Sequence, residues 1–247
     1  MTYTSTLPAA ARSRGRWMRQ LWRPPTGRFG IIVVACVALV AVISIFWTPY
    51  DPKTVDLTAR WVLPSLQHPL GTDGTGRDIL TLIMGGARTT VFVAIGSGII
   101  ASVVGIVLAS LGALTPRWTR ESMAVLIDIL IAFPVLLIAM MISSVWGGSL
   151  WVVIWSVGIG FGVSIARVTR PELRRVLHSD FILAARASGL SDMQILWRHL
   201  LPNVAPVFIV QLSWSMAVAV LAEAGLSYLG YGASPTEPSW GVLLANL

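Results

Sequence analysis

Charge and reactive side chains are scarce in this 247-residue chain. Acidic and basic residues together make up 12%, lysine occurs once, as Lys53, and cysteine once, as Cys36. A water-soluble domain carries roughly 25% charged residues to dress its surface, so a surface bathed in water on all sides is excluded. One cysteine allows no intrachain disulfide, and no Cys/His spacing suggests zinc. Inside an apolar run Cys36 reads as a small packing residue. The sole lysine lies outside any Gly-x-x-x-x-Gly-Lys-Ser/Thr pattern, so the sequence holds no phosphate loop for ATP. It also has no His-Glu-x-x-His metal motif and no Gly-x-Ser-x-Gly nucleophile elbow. The residues offer no catalytic, metal-binding or cofactor-binding constellation.

Apolar residues, by contrast, reach 55% and mean hydropathy is +0.75. A transmembrane helix needs about 20 mainly apolar residues to cross about 30 Å of hydrocarbon. Five stretches qualify: Phe29–Trp47, Val91–Leu114, a run from about Met123 to Trp146, Leu150–Ala166 and Val204–Ala222. The fold class is therefore all-α, a polytopic helical membrane protein. The first stretch is too long for a signal-peptide core, and Trp47-Thr48-Pro49-Tyr50 lacks the small-residue cleavage pattern, so it reads as a retained span.

The net charge of +7 would suit nucleic acid, but its distribution does not. Six arginines fall in residues 1–28, two in 115–121 and six in 167–203. The alternating segments hold only Lys53, Arg60, Arg77 and Arg88, interspersed with aspartates. The positive-inside bias then places the amino terminus in the cytosol and makes the basic excess an attraction to anionic membrane lipid. Trp47, Trp146 and Trp151 would share the outer interface, and Trp22 and Trp118 the inner one.

Along the chain, residues 1–28 form a basic cytosolic arm whose Trp17 and Trp22 could lie on the membrane, and 29–47 is the first span. Residues 48–88 form an outer loop broken by prolines and glycines, with a short amphipathic helix near Asp78–Ala87 leading into span 2. Residues 89–247 carry spans 2–5, a cytosolic loop over 167–203 and an outer segment over 230–247. The run Gly71–Asp78 looks like a phosphate cradle, but no strand precedes it, and it reads as a tight turn capped by Asp73 and Asp78. Span 2 carries a stripe of small residues, Ala94, Gly98, Ser102, Gly105, Ala109 and Gly112, that admits a close neighbour. Pro134 predicts a kink in span 3, which serves a moving or a static bundle equally. Two carboxylates lie in or beside spans, where they are costly. Asp128 reads as an ion pair with a cytosolic-side arginine, and Glu223 as a group near the outer face within reach of water or an arginine.

The most informative stretch is 179–203. Ser179 or Asp180 can cap a helix over Phe181–Ser188 that ends at Gly189. Ser191 and Gln194 have capping-box spacing for a second helix, which Pro202 would close. The first helix has small side chains at Ala184, Ala185, Ala187 and Ser188, and Phe181 as an anchor. Such a prong fits a groove on another protein; on physics alone an ordinary interfacial helix is an equal reading.

This stretch resembles the Glu-Ala-Ala loop of ABC importer permeases, in which a glycine is followed thirteen positions later by a proline, here Gly189 and Pro202. Ala184-Ala185-Arg186-Ala187-Ser188-Gly189 with Arg198-His199-Leu200-Leu201-Pro202-Asn203 is similar to the C-type subunit of the dipeptide/oligopeptide/nickel branch. Further blocks agree: His68–Asp73 with Gly76-Arg77-Asp78 and Gly85–Arg88, Asp128 with Phe133-Pro134, and Glu223–Gly230 with Pro238-Ser239-Trp240-Gly241. Leu183 stands where the motif usually has Glu, leaving Asp180 as the substitute carboxylate, and His199 replaces an apolar residue of the wider family.

The resemblance implies a type I importer transmembrane domain with a sixth span expected beyond residue 247. It implies an inner-membrane permease that forms the pathway with a sister permease as a heterodimer. ATP and Mg would be held by two partner ATPase subunits, with no cofactor in this chain, and an extracytoplasmic solute-binding protein would deliver peptides or, alternatively, nickel. The coupling residues would be Asp180, Phe181, Ala184, Ala185, Ser188, Gly189, His199 and Pro202. The outer-loop motif would comprise Asp73, Arg77, Asp78, Arg88, Glu223 and Trp240. A secondary transporter or channel is the rival reading, for which inverted repeats or several intramembrane charges would be needed.

Overall fold

A computed structural model describes residues 24–234 and 236–247. Their regular elements are all helical: α1 (Pro25–Phe46), α2 (Ile79–Leu114), α3 (Arg117–Ala132), α4 (Val135–Trp146), α5 (Leu150–Leu177), α6 (Asp180–Ala187), α7 (Asp192–Ile195), a π-helical turn (Leu196–Leu200), α8 (Leu201–Tyr228) and α9 (Trp240–Asn246). Residues 1–23 of the arm, with Trp17 and Trp22, lie outside the described residues. Four helical stretches have the length and hydropathy to cross a membrane, and the α3–α4 pair makes a fifth if counted as one span.

The centre of the bundle is the α2–α5 pair. Small residues bring the two backbones together: a Cβ on Gly105 would stand 2.6 Å from Ile165, and one on Gly162 would stand 2.6 Å from Val104. Gly158 and Gly162 on α5 form the close-approach spacing that the α2 stripe requires of its neighbour. The stripe serves two partners, because Gly98 faces Met216 of α8 while Gly105 and Gly112 face α5. α1 is peripheral; only Ala41 and Ser44 of its 22 residues are buried.

The helices differ from the sequence reading in three places, each for a local reason. No separate amphipathic helix covers 78–87; Asp78 caps α2 directly, and the helix runs unbroken from Ile79 to Leu114, across the 88/89 boundary. Gly85 and Gly86 do not break it because they are the seats for Pro238 and Trp240. Span 3 carries the kink expected at Pro134, as two helices bent by 74°. Pro134 holds Phe133 extended (φ −87°, ψ 126°), as the residue before proline must be.

Pro202 does not close the second helix of the prong. From Asp192 to Tyr228 the chain stays helical. In a regular α-helix the Pro202 ring would collide with the carbonyl four residues back. The turn before it widens instead, with the Leu201 N–H donating to the Leu196 carbonyl, and the Asn203 side-chain amide donates to the His199 carbonyl at 2.7 Å. Likewise α5 continues beyond Ala166 to Leu177 through Pro171.

Candidate functional site: a two-helix prong and a clasp at the opposite end

The prong is built on a buried anchor. Ile182 of α6 is fully buried and packs with Leu173 and Val176 of α5, Ile195 of α7, and Leu196 and Leu200 of the π turn. The Ser179 hydroxyl does not cap α6; it donates to the Val176 carbonyl at 2.6 Å. The helix ends in a Schellman turn, with Gly189 N–H on the Arg186 carbonyl (2.9 Å) and Leu190 N–H on the Ala185 carbonyl (3.2 Å). Gly189 has φ +83°, and open space surrounds its Cβ position. The backbone conformation, not crowding, therefore demands glycine there. Ser191 and Gln194 form the expected capping box, and Arg186 pairs with Asp192 at 3.1 Å, tying the two helices across the bend.

Four large apolar side chains stay exposed among polar ones. Phe181 is 47% exposed and its ring lies 6.3 Å from that of His199. Leu183, Met193 and Trp197 are about 60% exposed, and Asp180, Ala184, Arg186, Ala187 and Ser188 are also open, with Ala185 half-buried. Sequence reasoning identified Phe181 but missed Met193 and Trp197, whose four-residue spacing after the capping box was the available signal. It also missed Ile182, which separates a braced prong from a floppy one. Asp128 of α3 stands 3.8 Å from Arg167 of α5, both side chains mostly exposed, so this pair contributes little to stability.

At the other end of the bundle two polar clusters sit on the first turns of α2. In the first, Asp73 is buried and its Oδ1 accepts from Thr75 N–H, the Thr75 hydroxyl and Arg77 N–H. Asp78 caps α2: its Oδ2 accepts from Thr81 N–H and from the Thr81 hydroxyl, both at 2.8 Å. Its Oδ1 lies 3.1 Å from His68 Nδ1, and His68 stacks on Tyr50. Nearby, the Asp56 carboxyl is held below the usual aspartate range by hydrogen bonds from the Thr58 hydroxyl and backbone. Gly71–Asp78 is thus a turn organised around its own carboxylates, with no room in that role for a phosphate.

The second cluster is a clasp. Glu223 is fully buried, contrary to the expectation that water or an arginine reaches it. Its Oε1 accepts from the Ser227 and Ser239 hydroxyls at 2.7 Å each, while Oε2 is buried with no hydrogen-bond partner among the described residues. Ser227 in turn accepts from Ala233 N–H, and Ser239 from Gly241 N–H at the start of α9. Trp240 Nε1 donates to the Ile83 carbonyl of α2 (3.1 Å), and the Thr89 hydroxyl donates to the Pro238 carbonyl (2.7 Å). The fold therefore brings Glu223 and Trp240 together through Ser239, and Asp73, Arg77 and Asp78 into one turn. Arg88 joins neither group and is exposed toward α1.

Comparison with known proteins agrees with this architecture. Residues 101–247 match the family model described as binding-protein-dependent transport system inner membrane component. A putative peptide transport system permease protein of Brucella suis biovar 1 (strain 1330) is 34% identical over 92% of this chain and 77% of its own length. The oligopeptide transport system permease protein OppC of Bacillus subtilis (strain 168) is 28% identical over 92% of this chain and 77% of its own. A chain of the methionine ABC transporter MetNI, solved in inward-facing conformations, superposes with a TM-score of 0.55 at 22% identity, over 62% of this chain and 76% of that one. That likeness concerns the fold. By family model, by identity to its relatives and by a multi-pass helical architecture, the chain belongs to the binding-protein-dependent inner membrane components, as an ABC importer permease subunit of the OppC/DppC-like kind.

Proposed function

We propose that this chain imports peptides by alternating access and that the prong of α6 and α7 is its joint to a separate ATPase. The observation that carries the reading is the prong's construction: it is fixed from within by Ile182, firmly ended at Gly189, and leaves four large apolar side chains exposed. Phe181, Leu183, Met193 and Trp197 give a partner groove something to grip. Because α8 continues the prong helix without interruption, a push on the prong moves a span directly. Peptide as cargo rests on the names of the relatives. A sister permease completes the pathway, ATP and Mg sit on two partner ATPase subunits, and a solute-binding protein docks on the loop end.

The test is energetic. Reconstituted with its sister permease, two ATPase subunits and binding protein, the chain should concentrate peptide only when ATP is hydrolysed. Uptake by the permease pair alone, driven by a proton gradient, would move it to the secondary transporters.

Orientation follows from the arginine asymmetry, with the prong and amino terminus cytosolic. In a Cys36→Ala background, an impermeant thiol reagent added to intact cells should label Thr58→Cys and spare Ser188→Cys, both exposed positions. Labelling of Ser188→Cys from outside would invert the topology.

A further inference from the structure

The seam between α1 and α2 has the shape and chemistry of a lipid site. Three adjoining clefts there share Ile45 and Arg88. The largest, about 410 Å³, is an apolar slot walled by Val42 and Ile45 of α1, Phe92, Ile95 and Ile99 of α2, and Trp151. It extends along α2 from Arg88 to Ile99, about 16 Å at 1.5 Å per residue, which matches the roughly 15 Å of hydrocarbon in one leaflet. Arg88 stands level with the end of α1, beside Trp47 and Thr48, and Trp47 and Trp151 are the half-exposed aromatics that mark a headgroup interface. A second cleft, about 340 Å³, is lined by both Arg88 and Glu237, two exposed side chains of opposite sign that form no ion pair with each other.

We propose that this seam binds a zwitterionic glycerophospholipid bearing a primary ammonium, of the phosphatidylethanolamine type. Arg88 takes the phosphodiester, Glu237 takes the ammonium, and one acyl chain fills the slot from Ile45 to Ile99. Slot depth, a single cation at its mouth and a carboxylate beside that cation each match one part of such a lipid. This inference depends on the membrane location of the chain and not on its cargo.

The experiment uses the assembled transporter in lipid nanodiscs containing phosphatidylethanolamine with a diazirine in one acyl chain, followed by peptide mapping after illumination. Label should concentrate on residues 41–45 and 92–99. Arg88→Gln and, separately, slot-filling Ile95→Trp should each lower that labelling about tenfold, while Arg88→Lys should keep it within about threefold. Labelling of the exposed α8 face at Val210 and Trp214 should not change, which reports that the fold persists. Unlabelled phosphatidylethanolamine should compete several-fold better than phosphatidylglycerol, and Glu237→Gln should erase that preference. Label spread evenly over the exposed helix faces, and indifferent to Arg88, would overturn the site. Equal competition by phosphatidylglycerol would overturn the headgroup assignment, and crosslinking of residue 95 to a helix of another subunit would show a protein occupant instead.

Discussion

Replacing Gly189 by valine is expected to abolish coupled transport, by tenfold or more, while the protein still inserts into the membrane. Gly189 holds φ +83° at the end of α6, a conformation that costs a bulky residue roughly 1–3 kcal/mol, and the β-branch of valine makes it worse. The strain falls on the two hydrogen bonds of the Schellman turn, Gly189 to Arg186 and Leu190 to Ala185. These set the angle between α6 and α7. Since nothing lies near the Cβ position, side-chain volume is not the issue, so Gly189→Asn, which visits the left-handed region more readily, should keep most activity. Ala185→Glu should also uncouple, because a carboxylate pressed into a tight apolar contact goes unpaired. Leu183→Glu should be tolerated, since Leu183 is exposed and Glu restores the usual family residue. The measurements are substrate-stimulated ATPase activity and pull-down of the ATPase subunit. Normal assembly and transport by both Gly189→Val and Ala185→Glu would remove the prong from the coupling path.

Breaking the clasp at the other end should release the segment after α8. Glu223→Leu leaves the Ser227 and Ser239 hydroxyls, both nearly fully buried, without an acceptor. Each buried orphan costs about 1–3 kcal/mol, and a loss of about 2–4 kcal/mol corresponds to roughly 30- to 700-fold faster opening. Amide hydrogen exchange of residues 236–247 should accelerate by that factor, with the α2–α5 core unchanged. Glu223→Gln should lose much less, because its amide oxygen can still accept from both serines and its NH2 replaces an oxygen that is already unpartnered among the described residues. Unchanged exchange in Glu223→Leu, or equal acceleration in the two variants, would mean that Trp240 and Pro238 hold the segment without the carboxylate.

Legibility of these sites from sequence depended on how far apart the interacting groups are along the chain. Asp73 and Asp78 bond within four residues of themselves, and the Ser191–Gln194 box spans three. Such contacts could be read before any fold was known. Glu223 could not be read correctly: one of its serines is a helical turn away but the other lies sixteen residues on, across a reversal of the chain. Thr89 and Pro238, 149 residues apart, meet only because α9 folds back on α2.

The sequence by itself determined the membrane class, the place of the apolar runs, the charge asymmetry, and the turn at Gly189. All of these depend on composition or on short-range backbone and side-chain chemistry. Only the tertiary structure decided that α2 runs unbroken through Gly85 and Gly86 and that Pro202 lies within a continuous helix. It also decided which side chains of the prong point outward and that Glu223 is sealed from water. Most of these depend on what packs against the backbone. A pair of glycines stays helical when Pro238 and Trp240 fill the space above it, and a proline remains inside a helix when a widened turn makes room for its ring.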